Sequence, residues 1–176
     1  RHDPFAGPNQ WPALAGFRET IEAYEHELRR VALELVAAFE GALGLASGTL
    51  ARLFDVPTTF LRLLHYPPQE ADSGADEFGS APHTDYGFVT ILAQDDTGGL
   101  QVRTPDGDAW IDVPPRPGSF VLNVGDVGAR WSNGLLRSTP HRVVNRTGRD
   151  RYSIPYFFDP GADVEIGPLP GCVGPD

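Results

Sequence analysis

Residues 137–158 read RSTPHRVVNRTGRDRYSIPYFF and contain two candidate β-strands joined by a short polar turn. The run 151–158 is rich in aromatic residues, 137–145 contains the β-branched pair Val143-Val144, and the turn between them contains Gly148. The same pattern of short runs divided by Pro, Gly, Asn and Asp extends outward from this hairpin. It predicts five further strands, at 58–66, 86–94, 99–103, 110–113 and 119–124. Seven short strands favour a β-sandwich or barrel over a parallel α/β sheet.

The segment before these strands has a helical pattern. Between Phe17 and Leu43, large apolar residues recur at steps of three and four, which indicates one long amphipathic helix. Gly44 is a candidate C-cap, and Ser47 is a candidate N-cap of a short second helix. We therefore predict a mainly β fold in which the long helix covers one face of the β domain. The predicted division is a helical segment, a β core and an irregular tail, at residues 1–57, 58–160 and 161–176.

The composition is that of an acidic globular protein. Of 176 residues, 40% are hydrophobic and 22% are charged, and the formal net charge is −10. An acidic surface repels phosphate backbones and anionic lipids, which argues against nucleic-acid and membrane partners. The only cysteine, Cys172, excludes an internal disulfide and indicates a reducing compartment, for which we predict the cytoplasm. Because methionine is absent, initiator included, we expect the sequence to be a fragment of a longer chain.

Three side chains form a candidate metal site: His83, Asp85 and His141. In a strand, residues i and i+2 point to the same face, so His83 and Asp85 would reach one ion together. His141, in the predicted strand 137–145, is the third ligand. Two histidines and one carboxylate suit ferrous iron and leave three positions open, although zinc accepts the same ligands. The alternatives are a polar strand end beside a loop for the first two residues and a core histidine bonded to backbone for the third.

Arg151 and Ser153 form a candidate receptor for a carboxylate. They lie two residues apart on an otherwise apolar strand and therefore share one face. Burying a guanidinium is costly unless an anion meets it, and the planar fork of arginine matches a carboxylate. The alternative is an exposed edge strand with Arg151 in solvent, which the apolar neighbours Ile154, Phe157 and Phe158 disfavour.

These residues and their flanking segments occur in an order that resembles the isopenicillin N synthase-like family of iron(II)- and 2-oxoglutarate-dependent oxygenases. The resemblance covers residues 9–160. Its central motifs are His83-Thr84-Asp85, His141 and Arg151-Tyr152-Ser153. The flanking segments that match are Asn9-Gln10-Trp11-Pro12, Leu61–Pro68, Gly98–Val102, Pro117–Asp126 and Trp131–Gly134. The resemblance implies a double-stranded β-helix, or jelly roll, with the long helix packed outside it.

The resemblance also implies roles for individual residues. The three metal-ligand candidates would bind iron(II), and Arg151 and Ser153 would hold the distal carboxylate of 2-oxoglutarate. Tyr66 matches a tyrosine whose hydroxyl often joins this contact. Leu64 stands where the family commonly has asparagine, so that one polar contact is lost in this chain.

Strand alternation extends the candidate site beyond these motifs. If Tyr66 faces the barrel interior, Leu64 and Arg62 face it as well. Arg62 is therefore a candidate partner for the other end of 2-oxoglutarate or for an acidic group of the substrate, and a surface salt bridge is the alternative. We interpret Asn123 as part of a strand end and turn. The remaining pocket candidates are residues that ordinary core packing explains equally well: Phe88, Thr90, Leu92 and, near the mouth, Phe158.

The activity implied by the resemblance is an oxidation that needs no acid–base pair. Decarboxylation of 2-oxoglutarate to succinate and carbon dioxide would be coupled to reaction of a small organic substrate with O2, by hydroxylation, desaturation or cyclisation. We expect no catalytic residue beyond the metal ligands, and we expect ascorbate to stimulate turnover. Two alternatives stay open. One is a family oxidase that does not use 2-oxoglutarate as co-substrate, or an ethylene-forming type, and the other is an inactive jelly-roll module that binds a ligand.

Overall fold

A computed structural model describes the chain over residues 7–69, 74 and 77–173. The outermost parts of the predicted helical segment and tail, residues 1–6 and 174–176, lie outside this description. The chain forms two compact units. The first consists of Arg1–Thr58 with Pro160–Val164, and the second of Thr59–Asp159 with Glu165–Asp176. The division of the sequence into a helical segment, a β core and a tail stays a prediction.

The first unit contains helix α1, Phe17–Ala42, which confirms the predicted long helix. Its buried residues recur at every fourth position and form one stripe: Leu28, Ala32, Val36 and Glu40. Gly44 follows with a positive φ of 66°, the left-handed conformation in which many helices end. A single 3₁₀ turn, Ala51–Phe54, replaces the longer second helix predicted from Ser47. Among the described residues, no helix is long and apolar enough to cross a membrane.

Glu40 is a buried carboxylate that binds the chain segment following α1. Its side-chain oxygens accept hydrogen bonds from the backbone amides of Leu50 at 2.6 Å, Ala51 at 3.0 Å and Gly48 at 3.0 Å. The Ala51 amide is the main reason why the pKa of Glu40 lies below its usual value, although burial opposes it. The ionised carboxylate therefore stabilises the connection between α1 and the 3₁₀ turn.

Glu40→Ala should lower the free energy of unfolding at pH 7 by about 2–4 kcal/mol, because backbone amides lose a charged acceptor. Since the folded-state pKa of Glu40 is lowered, its contribution is present above the unfolded pKa of about 4.3 and is lost as the pH falls through the folded value. The difference in free energy of unfolding between wild type and variant, measured by urea denaturation, should therefore become smaller as the pH is lowered. Glu19→Ala, an exposed change in α1, is the control and should cost less than about 0.5 kcal/mol. Equal losses for both variants would contradict the prediction.

The second unit is built from strands that form two sheets. The strands are β1 Thr58–Leu61, β2 Leu64–Tyr66, β3 Ser80–His83, β4 Val89–Gln94, β5 Leu100–Arg103, β6 Trp110–Asp112, β7 Val121–Val124, β8 His141–Val143 and β9 Arg151–Asp159. The larger sheet has the order β1-β9-β4-β7, with β2 also paired to β9, and the smaller has the order β3-β8-β5-β6. Sequence neighbours are seldom sheet neighbours, and pairs such as β4 with β9 are antiparallel. This arrangement confirms the predicted mainly β fold of the jelly-roll type, with antiparallel sheets in place of a parallel α/β sheet.

Two elements of the second unit are missing from the sequence prediction. β3 contains Pro82 and small residues in place of apolar alternation, and it is held by antiparallel pairing with β8. Helix α2, Asp126–Trp131, contains a glycine in its interior, which disfavours a helix by local propensity. It forms because tertiary packing favours it: Trp131 is buried, and a Cβ at Gly128 would lie only 2.7 Å from Cγ1 of Val124. In addition, the predicted strand 58–66 is interrupted at Arg62 and Leu63.

Candidate metal and carboxylate site

A cavity of about 340 Å³ lies between the two sheets of the second unit. Strands of the larger sheet and of the smaller sheet both contribute to its wall. The wall includes every site residue expected from the sequence: Arg62, Tyr66, His83, Asp85, His141, Arg151 and Ser153. Residues that are far apart in the chain therefore surround one small space.

Strand β9 supplies the carboxylate-binding candidates. Arg151 and Ser153 are both buried and both line the cavity, so the expectation that they share a face is confirmed. On the neighbouring strand β2, Tyr66 is paired with Arg151 and Leu64 with Ser153. The antiparallel register thus places the two strands' inward side chains at the same level of the cavity.

Arg151 is a fully buried cation, and one of its three nitrogens has no hydrogen-bond partner among the described residues. Its Nε donates to the carbonyl of Gly98 at 2.6 Å, and its Nη2 donates to Oε1 of Gln94 at 3.3 Å. Nη1 is buried and has no hydrogen-bond partner within the described part of the chain. The guanidinium carbon lies 4.9 Å from the centre of the Tyr66 ring, which is a cation–π distance. Burial lowers the pKa of Arg151 from its usual value, but a guanidinium stays charged in proteins.

The expected metal ligands also come together. His83 ends β3, His141 begins β8, and the two residues are register partners with ring centres 4.3 Å apart. Nε2 of His141 lies 3.7 Å from Oδ1 of Asp85. One ligand atom from each of the three residues can be chosen so that all lie within 4.8 Å of one another. This spacing allows all three side chains to reach a single ion.

Backbone carbonyls orient the two imidazole rings. Nδ1 of His83 lies 2.7 Å from the carbonyl of Ala81, and Nδ1 of His141 lies 3.1 Å from that of Thr139. When each Nδ1–H donates to its carbonyl, each Nε2 is left as an acceptor for a metal. Burial lowers the pKa of His141 below its usual value, which favours the neutral ring that metal binding requires.

Asp85 reaches the site by a different route from the one expected. Strand β3 ends at His83, so Asp85 lies in the following loop and the alternation argument for this pair is wrong. Hydrogen bonds hold the loop instead: the backbone amide of Asp126 donates to the carbonyl of Asp85 at 2.8 Å, and that of Phe88 donates to Oδ1 of Asp159 at 2.8 Å. A Cβ at Gly87 would lie 1.6 Å from that same oxygen, so this position excludes a side chain.

The second oxygen of Asp85 is held by two residues of the larger sheet. Oδ2 accepts a hydrogen bond from Oγ1 of Thr90 at 2.7 Å and another from Nδ2 of Asn123 at 2.6 Å. The interpretation of Asn123 as only a strand end and turn is therefore wrong. Its signal in the sequence is a polar residue inside the apolar run Val121–Val124, but the identity of its partner depends on cross-strand register.

The other residues expected to line the pocket do so only where their side chains face the cavity. Thr90 and Leu92 line the cavity as expected, whereas Phe88 and Phe158 are buried elsewhere in the core and do not. Phe157 lines the cavity because it is in phase with Arg151 and Ser153 along β9. The placement of Phe158 near the mouth is therefore wrong by one residue.

The side chains present fit an iron(II) ion and a carboxylate ligand. Two neutral imidazoles and one carboxylate are the donor set of non-haem ferrous sites. The unpartnered Nη1 of Arg151 is a donor that an anion would satisfy. Both features open into the same cavity, as an oxygenase that binds a keto acid beside its metal requires.

Comparisons with known proteins agree with this arrangement. Residues 57–160 match the model of the 2OG-Fe(II) oxygenase superfamily. A 2-oxoglutarate-Fe(II) type oxidoreductase of Emericella nidulans, hxnY, is 38% identical over 172 residues, which cover 95% of this chain and 49% of that protein. A 2-oxoglutarate-dependent dioxygenase of Monascus ruber, citB, is 40% identical over an alignment of 180 positions that covers 94% of this chain and 53% of that protein.

Solved structures agree as well. The crystal structure of a full-length Neurospora crassa protein in complex with alpha-KG superposes with a TM-score of 0.89 at 36% identity, covering all of this chain and 57% of the other. The chain spans about half the length of the curated relatives it matches. Because the superfamily model covers more than half of the chain and includes the whole cavity wall, the chain belongs to the 2OG-Fe(II) oxygenase superfamily.

Proposed function

We propose that this chain carries the active site of an iron(II)- and 2-oxoglutarate-dependent dioxygenase that oxidises a small organic substrate. One observation carries the proposal. A buried guanidinium with an unpartnered Nη1 shares a cavity with two histidines and an aspartate whose ligand atoms lie within 4.8 Å of one another. A metal site alone needs no buried arginine, and a carboxylate receptor alone needs no triad.

His83, Asp85 and His141 would hold the iron. When bound, iron(II) supplies the redox chemistry that couples decarboxylation of 2-oxoglutarate, to succinate and carbon dioxide, to oxidation of the substrate by O2. The triad provides three protein ligands and leaves the remaining positions to small molecules. The chain itself needs no general acid or base for this reaction, so its task is to bind, orient and exclude water.

Arg151, Ser153 and Tyr66 would hold the distal carboxylate of 2-oxoglutarate. A charge-assisted hydrogen bond from Nη1 of Arg151 would be strong because the group is fully buried. Leu64, which pairs with Ser153, presents an apolar side chain at this level of the cavity. Much of the remaining wall is apolar and limits the access of water to the reacting groups: Leu92, Leu100, Val102, Val121 and Phe157.

Arg62 is a second cation on the cavity wall. It lies beyond Leu64 along the same edge of β9, where its backbone amide donates to the carbonyl of Pro155 at 3.0 Å. The guanidinium is exposed and forms no ion pair with any carboxylate that the structure describes. We propose that it contacts an anionic group of a bound molecule, either the other end of 2-oxoglutarate or an acidic group of the substrate.

We also propose that the protein works in the cytoplasm. Iron(II) and a free thiol both persist in a reducing compartment. Cys172, the only cysteine in the sequence, is buried and unpaired. Its burial leaves it unsuited to an exposed disulfide with a partner.

An anaerobic absorption spectrum tests the proposed function. Adding 2-oxoglutarate to the chain with iron(II) should produce a metal-to-ligand charge-transfer band, because the keto acid chelates the metal. Admitting O2 should then yield succinate in proportion to oxygen consumed, with ascorbate increasing the yield. Oxygen uptake that is independent of 2-oxoglutarate would favour the family oxidases that do not use it as co-substrate. Iron binding with neither the band nor succinate would favour a binding module.

A further inference from the structure

Asp85 is restrained at one oxygen, while its other oxygen accepts no hydrogen bond from the residues that the structure describes. Two hydrogen bonds, from Thr90 at 2.7 Å and from Asn123 at 2.6 Å, converge on Oδ2. Oδ1 is the oxygen that lies nearest to Nε2 of His141, at 3.7 Å. One oxygen of the carboxylate is thus held by two donors of the larger sheet, and the other is the oxygen that lies nearest to His141 Nε2.

The two donor side chains, Thr90 and Asn123, are positioned by the pairing of the strands that carry them. Thr90 on β4 and Asn123 on β7 are direct register partners in an antiparallel pair. Their side chains therefore project from the same face and lie close together. Thr90 is buried, with 5% of its surface exposed, and its other neighbour in register is Phe157 on β9. A carboxylate on a loop is thereby tied to two neighbouring strands of the larger sheet, β4 and β7.

We infer that Thr90 and Asn123 are positioning residues that make Asp85 a one-oxygen metal ligand through Oδ1. This inference rests on the proposed function, since it assumes that the triad binds a metal. With both donors on Oδ2, that oxygen would have to give up strong hydrogen bonds before it could chelate the ion as well. A position that a chelating carboxylate would occupy is then left open for a small-molecule ligand.

The consequence for metal affinity is measurable without turnover. Residues that orient a metal ligand typically contribute 10–100-fold to affinity. Thr90→Val and Asn123→Leu each remove one donor while keeping a side chain of similar size. We expect each variant to bind Co²⁺ and Mn²⁺ about 10–100-fold more weakly in calorimetric titrations. The visible absorption of the Co²⁺ form should also change, because its coordination depends on how Asp85 binds.

Conservative and matched variants separate positioning from packing. Thr90→Ser keeps the hydroxyl and should restore most of the metal affinity that Thr90→Val loses. Thr59→Val makes the same chemical change on β1 at a residue outside the cavity wall and should leave metal affinity unchanged. Melting temperatures of the metal-free variants, measured in parallel, report whether each one still folds.

The outcomes distinguish this inference from the proposed function. If the unsubstituted chain binds neither metal, the proposed function itself fails. Suppose instead that it binds them, that the metal affinities of Thr90→Val and Asn123→Leu both stay within about threefold of the unsubstituted chain, and that the Co²⁺ spectrum is unchanged. The positioning role is then overturned while the metal site stands. Loss of the metal-free fold in both variants would also overturn it, because the pair would then serve the stability of the sheet.

Discussion

Asp85→Ala is expected to abolish metal binding and 2-oxoglutarate turnover. The substitution removes the only anionic ligand of the triad and leaves two neutral imidazoles to hold a divalent cation. The loss should therefore exceed the 10–100-fold that removal of a supporting contact costs. His83→Ala and His141→Ala should behave in the same way, since each removes one of three protein ligands. Calorimetric titration with Co²⁺ measures the first effect, and succinate formation measures the second.

A matched aspartate variant makes the result specific. Asp108→Ala removes an exposed carboxylate from the turn between β5 and β6, and it should leave both metal affinity and succinate formation unchanged. Succinate formation at the wild-type rate by Asp85→Ala, His83→Ala or His141→Ala would remove the iron site from these residues.

Arg151→Leu is expected to raise the 2-oxoglutarate concentration needed for half-maximal binding by roughly 100-fold. Truncating one partner of a buried, hydrogen-bonded charge pair costs about 2–5 kcal/mol, and about 1.4 kcal/mol corresponds to a factor of ten. The variant chain should also lose the rise in melting temperature that 2-oxoglutarate gives in the presence of Mn²⁺, because ligand stabilisation depends on affinity. Arg151→Lys keeps the charge without the planar fork, so its affinity for 2-oxoglutarate should lie between those of the unsubstituted chain and of Arg151→Leu.

A neighbouring arginine provides the control for this effect. Arg149 is exposed and pairs with Asp96 at 3.2 Å on the surface, so Arg149→Leu should leave 2-oxoglutarate binding unchanged. Metal affinity without 2-oxoglutarate should be unchanged in both variants. If Arg151→Leu needs no more 2-oxoglutarate than the unsubstituted chain, the proposal that Arg151 on β9 binds the distal carboxylate of 2-oxoglutarate is refuted.

The same titration decides between the two proposed roles of Arg62. If Arg62 contacts the other end of 2-oxoglutarate, Arg62→Leu should weaken 2-oxoglutarate binding as Arg151→Leu does. If it contacts an acidic group of the substrate, 2-oxoglutarate binding should be unaffected. A second titration, with candidate acids in the presence of Mn²⁺ and 2-oxoglutarate, would then show weaker binding of those acids to Arg62→Leu.

Strand alternation predicts some of the site correctly because a side chain's face follows from its phase along one strand. It brings Arg151 and Ser153 to one face of β9, and Leu64 and Tyr66 to one face of β2. The same rule, applied in phase with Arg151, selects Phe157 and excludes Phe158. The sequence therefore contained the correct answer for that position.

Features that depend on pairing between distant strands could not be predicted in this way. The contact from Asn123 to Asp85 follows from the register of β7 on β4, which no pattern within either strand specifies. Asp85 is positioned by a loop whose hydrogen-bond partners, the Asp126 amide as donor and the Asp159 carboxylate as acceptor, are far away in sequence. β3 and α2 likewise form against weak local preferences, because their partners in the fold stabilise them.

The enclosed guanidinium of Arg151 has a consequence for selectivity. It is anchored to a central strand of one sheet, while two of the three triad residues lie at the ends of strands in the other. If Arg151 and the triad bind 2-oxoglutarate and its metal as proposed, the distance between these two anchor points would select ligands by the length of their carbon chain. A keto diacid with one methylene fewer or one more than 2-oxoglutarate would meet only one anchor well, and the cavity would discriminate among such homologues through the span between their end groups.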